Sequence, residues 1–110
     1  MTMQEFINLI WTVDPQAVKY DSMGEKGGSY TVFSPYRVKP LYASGGVSES
    51  TAFVQVDYFT QKDNDPKAAA FFDAFISDDN VTVSYHIDFE NDTRYIHHIF
   101  DCEVICRGAV

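Results

Sequence analysis

Basic residues are scarce in this chain, whose 110 residues include eight lysines and arginines against sixteen aspartates and glutamates, a formal net charge of −8. A surface of that sign repels the phosphate backbone of nucleic acids and anionic lipid headgroups. The acidic excess lies in the second half, because residues 56–110 carry eleven acidic and four basic residues. The plainest interpretation is a solvated face that keeps the protein soluble. A sharper one is a surface that repels nucleic acid or meets a basic partner.

Long apolar runs and paired cysteines are also missing. No stretch approaches the roughly 20 apolar residues that a membrane-spanning helix needs. The N-terminal Met-Thr-Met-Gln-Glu lacks the basic region that begins a signal peptide, so we expect a protein made in the cytoplasm. Cys102 and Cys106 lie in a strand-like segment, where their Cα atoms would be about 13 Å apart, too far for a disulfide. The sequence predicts a buried Cys102 and a free Cys106 in a reducing compartment.

What is present predicts one compact domain over residues 1–110. At 45% hydrophobic and 15% aromatic residues, the chain has enough apolar surface for one core. The patterns predict the order helix, two strands, helix, two strands, with residues 17–20 as a further short extended piece and the glycine-containing residues 21–29 as a loop. We therefore expect an α+β fold in which an antiparallel β-sheet carries two helices.

Both helices have clear start signals. Thr2 and Glu5 fit a capping box, and apolar residues recur at helical spacing from there to Asp14-Pro15. Asp65-Pro66 places a cap residue before a proline at the first helical position. The predicted buried face of this second helix consists of Ala68, Phe71, Phe72, Phe75 and Ile76.

The strands are predicted from alternation. Residues 30–36 are rich in aromatic and β-branched side chains, and Pro35 and Pro40 are expected to close the strand. In residues 51–60 every second side chain is apolar, so that Ala52, Val54, Val56 and Tyr58 share one face. Residues 81–89 and 95–104 are predicted to form the closing hairpin around a turn at 90–92.

Between the first two strands, residues 41–50 (LYASGGVSES) are predicted to form a loop longer than a tight hairpin requires. Loops of this kind often carry function. The predicted partner-binding residues are Pro40, Leu41, Tyr42, Ser44, Gly45 and Gly46. Leu41 and Tyr42 would be the apolar anchors of the contact. The alternatives are a slack connection, or a Leu41 and Tyr42 that pack against the protein's own core.

The three histidines all lie in the closing hairpin, among acidic residues. Adjacent residues of a strand point to opposite faces, so His97 and His98 cannot hold one metal ion together. Strand parity places His86 and His97 on one polar face, where they can lie opposite each other. Two ligands fall short of the three or four that zinc needs. We expect a hairpin without a metal site, in which His98 is partly buried and hydrogen-bonded.

Catalytic signatures are absent from the sequence. It contains no GxSxG, HExxH or EF-hand pattern, and neither cysteine has a recognisable catalytic context. Asp57, a lone carboxylate between large side chains, is expected to find a structural partner. We therefore predict that the protein is not an enzyme and has no cofactor.

Several strings resemble the tail-completion proteins of siphophages, of the tail terminator or tail-to-head joining type. They are YTVFSPY, the loop KPLYASGG, the strand FVQVDYFTQKDND before a helix, and the closing hairpin DTRYIHHIFDCEV. The resemblance extends from the first helix to Glu103. Many members carry more basic residues near the helices than this acidic chain does.

The resemblance implies a small α+β protein that assembles as a ring, typically of six copies, on the finished tail tube. Such a ring stops polymerisation of the major tail tube protein and offers a docking surface to the head connector. The expected location is the virion, at the junction of tail and head. Neither a membrane nor specific nucleic-acid binding is expected, although DNA would pass through the ring.

Two other classes of function remain open from the sequence. One is an acidic inhibitor or DNA mimic of a mobile element, which would space its carboxylates like phosphates. The other is a small metal- or ligand-binding domain that uses His86 and His97.

Overall fold

The structure is a computed structural model that describes residues 1–20, 28–43 and 46–107. Its elements in chain order are α1 (Met3–Val13), β1 (Val18–Lys19), β2 (Tyr30–Ala43), β3 (Gly46–Thr60), α2 (Pro66–Ile76), β4 (Val81–Phe89) and β5 (Ile96–Arg107). This confirms the predicted α+β class and the order of helices and strands, with β1 as the short extended piece. The predicted loop at residues 21–29 lies mostly outside the described residues.

The strands form one sheet in the order β1-β2-β3-β5-β4. The four long strands pair antiparallel, as predicted, while the two residues of β1 pair parallel with β2 and make the sheet mixed. β3 is central because it pairs with β2 along one edge and with β5 along the other.

Both helices pack on one face of this sheet. The predicted inward residues of β3 are all fully buried there, as is Phe100 of β5. Phe71 and Phe75 of α2 place their ring centroids 5.8 and 5.6 Å from that of Phe100. Phe6 of α1 stacks on Phe75 at 5.6 Å, so one aromatic cluster joins both helices to the sheet.

The helix ends follow the predicted capping. The Thr2 hydroxyl accepts from the Glu5 backbone N–H, and the Glu5 carboxylate accepts from the Thr2 N–H. The prediction for Ile76 is wrong, since 54% of this residue is exposed. Ile76 lies one position, or about 100° around the helix, beyond Phe75, which already faces the core.

The predicted end of β2 at its prolines is wrong, because the strand continues through both of them to Ala43. The backbone of Tyr20 donates to the Phe33 carbonyl, and the Tyr20 hydroxyl donates to the Pro35 carbonyl, so these groups point away from β3. A bulge between Pro35 and Arg37 then shifts by one residue the backbone groups that point away from β3. As a result, the nitrogen of Pro40 also points away from β3. A proline whose nitrogen faces outward removes no hydrogen bond from the β2–β3 ladder.

Candidate functional site

The outer part of the β2–β3 hairpin projects from the domain. Strand β1 borders β2 only at Val32 and Phe33, and the pairing of β3 with β5 ends at Glu49. We call residues 36–43, together with residues 46–53 that face them, the arm; only its tip, beyond Leu41 and Glu49, extends past the described pairing with β5. The large apolar side chains of its β2 residues are exposed, with Leu41 at 57% and Tyr42 at 72%.

The predicted partner-binding residues belong to this arm, although the long loop predicted for residues 41–50 is wrong. Pro40, Leu41 and Tyr42 lie near the C-terminal end of β2, and Gly46 begins β3. Ser44 and Gly45 lie outside the described residues. The exposure of Leu41 and Tyr42 also contradicts the alternative that both pack against the core.

The arm is basic in a chain that is otherwise acidic. Its described β2 residues include Arg37 and Lys39 and no acidic residue. The Arg37 guanidinium lies 5.0 Å from the centroid of the Phe53 ring, which holds it against the sheet. Glu49, the acid of the facing strand, lies 3.3 Å from the Arg107 guanidinium and is thereby paired.

An open groove of about 490 Å³ lies on the helix-covered side, between the start of α2 and the β4–β5 hairpin. Its walls are mostly apolar, and its polar residues gather where β3 leads into α2. The lining residues are Lys62, Asp63, Asn64, Asp65, Ala68, Ala69, Phe72, Tyr85, Ile87, Ile96 and His98.

Asp65 organises the polar end of the groove. Its carboxylate accepts hydrogen bonds from the Tyr58 hydroxyl (2.7 Å), the Thr60 hydroxyl (2.8 Å) and the Lys67 backbone N–H (2.9 Å). Burial alone would raise the pKa of Asp65, but these hydrogen bonds and the charge of Lys62 outweigh it and hold the pKa below its ordinary value. Burial and the bond to Asp65 raise the pKa of Tyr58 to about 12.

His98 forms part of the floor of the groove. It is only 8% exposed, and its Nδ1 lies 2.7 Å from the Tyr85 hydroxyl, with which it shares a hydrogen bond. The ring stacks between Tyr58 and Tyr85, at centroid distances of 5.9 and 6.0 Å. Burial lowers the pKa of His98, so the neutral imidazole is favoured in the folded protein. The prediction of a partly buried, hydrogen-bonded histidine is confirmed.

The lowered pKa of His98 predicts a loss of stability in mild acid. The unfolded chain takes up a proton near pH 6.5, while the folded protein resists it, so the free energy of unfolding should fall as the pH drops from 7 to 5. Urea unfolding at several pH values should show this slope, and it should flatten in His98→Gln. His86→Gln, at an exposed position of the same hairpin, serves as the control, and an equal flattening there would contradict the assignment.

The other two histidines lie on the sheet face that carries no described helix. His97 pairs with Asp88 across the strands and His86 with Ile99, so both share a face but do not lie opposite each other. The His97 Nε2 is 2.7 Å from the Asp57 Oδ1, which confirms the structural partner predicted for Asp57. Within residues 1–20, 28–43 and 46–107, no three His, Cys, Asp or Glu side chains converge as metal ligands.

Sequence reasoning missed the groove because its residues come from three separate elements, α2, β4 and β5, and from the segment that precedes α2. Tyr58 and His98 meet only because β3 and β5 pair in a register that sets them side by side. The one local signal was Asp65, which was predicted as a helix cap and serves in addition as the acceptor for Tyr58 and Thr60.

Comparison with protein-family models and with curated proteins finds no match. None of the described helices is long and apolar enough to cross a membrane.

Proposed function

We propose that this chain is a structural protein of a phage or prophage tail, which forms a ring on the end of the tail tube. The ring ends polymerisation of the major tail tube protein and offers the docking surface for the head connector. The observation that carries the proposal is the projecting arm, with Leu41 and Tyr42 held away from the protein's own core.

The arm has the properties of a docking element. Two hydrogen-bonded strands fix its backbone before any partner arrives, so little conformational entropy is lost on binding. Large apolar side chains near its tip resemble the anchors that dominate protein interfaces. Apolar side chains that lie together on an exposed surface often mark a site of protein interaction.

The side chains suited to acid–base chemistry have structural roles, which favours assembly over catalysis. Asp65 caps α2 and accepts two hydroxyl groups, His97 bonds to Asp57, and His98 bonds to Tyr85. The thiol of Cys102 is buried, and burial raises its pKa far above the range in which a thiolate forms.

The charge fits a channel for DNA. Six copies would bring roughly −48 charges to a ring, and acids that face the lumen would let DNA slide through without binding. This part of the proposal fails if the acidic side chains of the assembled ring line its outer rim instead.

The proposal predicts the phenotype of a phage with an early stop codon in this gene. Electron microscopy should find overlong, headless tails beside filled heads, and a plasmid copy of the gene should restore virions. A plasmid copy with Tyr42→Ala should restore few virions. A copy with Ile76→Ala, which changes an exposed apolar residue on α2, should restore them fully.

Tails of normal length with heads attached, from phage that lack the protein, would overturn the proposal. The inhibitor and ligand-binding hypotheses would then come first. The neighbouring genes give an independent check, because a tail-completion gene is expected beside genes for the head connector and the major tail tube protein.

A further inference from the structure

The arm and the groove lie at opposite ends of the central strand. Gly46 begins β3 next to the tip of the arm, and Thr60 ends it next to the groove. Fourteen residue steps of extended chain span about 46 Å, and the longest dimension of the molecule is 52 Å. The tip therefore cannot reach the groove of its own chain, and any contact between the two surfaces joins different copies.

The groove has the shape and chemistry to take apolar side chains. Phe72, Tyr85, Ile87 and Ile96 line it, and 58% of Ile87 is exposed. Its volume of about 490 Å³ lies within the range of sites that enclose small ligands or side chains. An exposed isoleucine in a concave wall gains most by contact with another apolar group.

The charges of the two surfaces are complementary. The arm presents Arg37 and Lys39. Asp63 and Asp65 lie at the polar end of the groove with one lysine, Lys62, in the half of the chain that holds eleven of the sixteen acidic residues. Opposite potentials of this kind steer two copies into a head-to-tail orientation and disfavour contacts between like ends.

Two prolines of β2 have nitrogens that point away from β3. They favour binding through the side chains of the arm over the pairing of another strand with its backbone. A strand that joined the free edge of the arm would need backbone donors on that edge. Pro40 in the arm, like Pro35 just before it, has its nitrogen on the outward edge and no N–H to offer. The arm is consequently better suited to binding through Leu41 and Tyr42 than through its backbone.

We propose that the arm of one copy binds in the groove of the next copy. Tyr42 then lies against Tyr85 and Ile87 of the hairpin wall, and Leu41, on the other face of the strand, lies against Ala69 and Phe72 of the α2 wall. Each chain then contributes a different surface to the same contact, which repeats head to tail and closes as a ring when the rotation allows it. This inference rests on the ring of the proposed function and names the surfaces that hold it together.

Disulfide trapping between two single variants tests the contact. Leu41→Cys places a thiol on the arm beside the intact Tyr42, and Ala69→Cys places one in the wall of the groove. Under mild oxidation the mixture should yield a covalent dimer of one chain of each kind, and Tyr42→Ala in the arm variant should abolish it. Ala70 is exposed but does not line the groove, so the Ala70→Cys variant should yield at least tenfold less covalent dimer. The native cysteines are buried in the sheet.

Self-association gives a second readout that does not depend on cysteine chemistry. Ile87→Asp should weaken association in sedimentation equilibrium by tenfold or more, since a charge replaces an apolar contact. Ile76→Asp changes an equally exposed isoleucine outside the groove and should leave association unchanged. Circular dichroism of both variants verifies that each is folded.

A protein that stays monomeric at all concentrations, with no trapping in solution or in virions that carry both cysteines, would overturn the contact. So would equal trapping at Ala69→Cys and Ala70→Cys. The two proposals fail separately: overlong tails without trapping in virions refute only the arm-to-groove contact. Trapped oligomers together with normal tails in the stop-codon phage refute only the tail function.

Discussion

Replacing Phe100 by alanine is expected to lower the free energy of unfolding by about 3–5 kcal/mol. The Phe100 ring is fully buried and lies within 4.6–5.8 Å, between centroids, of the rings of Tyr85, Phe75 and Phe71. Its removal leaves a cavity where α2 meets the sheet, bounded by fixed strands that cannot collapse into it. For a domain with a total stability of roughly 5–15 kcal/mol, the loss is a large fraction.

Urea unfolding followed by circular dichroism measures this loss. Ile105→Ala removes an apolar side chain from the same strand but from the face without a described helix, where Ile105 is partly exposed, and should cost less than about 1 kcal/mol. Phe100→Leu should fall between the two. A Phe100→Ala loss no larger than that of Ile105→Ala would show that the aromatic cluster does not hold α2 to the sheet.

The same assay separates the core from the arm. Tyr42 is mostly exposed and distant from the aromatic cluster, so Tyr42→Ala should change stability by no more than about 0.5 kcal/mol. A failure of that variant to restore virions is then a failure of docking and not of folding.

Features governed by local rules were predictable from the sequence. The capping box at Thr2 and Glu5 and the Asp65-Pro66 start of α2 depend on neighbours within three residues, and the structure has both. The alternation in β3 separated buried from outward residues because one face of the sheet carries both helices. His98 was placed on the inner face by the same parity argument.

Features that depend on pairing between strands were not predictable. Pro35 and Pro40 were predicted to end β2, since the sequence does not reveal which edge of a strand is free. The bulge near Tyr36 keeps Pro40 on the free edge, and only the register of β2 against β3 reveals it. The groove likewise requires that His98 lie between Tyr58 of β3 and Ile87 of β4, a fact of tertiary pairing.

The second large effect is expected at Asp65, where alanine should cost about 2–4 kcal/mol. The helix loses its cap, typically worth about 1 kcal/mol, and the Tyr58 and Thr60 hydroxyl groups, both buried, lose their acceptor. Asp63→Ala, at the exposed position two residues earlier, should be nearly neutral. Asp65→Asn keeps an oxygen that can accept and a good cap residue, so it should cost about 1 kcal/mol.

The acid range distinguishes the charge of Asp65 from its hydrogen bonds. Because its folded pKa lies below the ordinary value, Asp65 contributes stability above about pH 4 that is lost as the pH falls through the folded pKa. Asp65→Asn should therefore flatten the acid side of the stability profile, while Asp63→Asn should leave it unchanged.

The same variant tests the role of Asp65 in the groove. Asp65 holds the polar end of the groove in place but is not among the proposed contacts of the arm. Asp65→Asn should therefore weaken trapping between Leu41→Cys and Ala69→Cys less than Ile87→Asp does. A variant that folds normally yet loses all trapping would instead place Asp65 in direct contact with the arm.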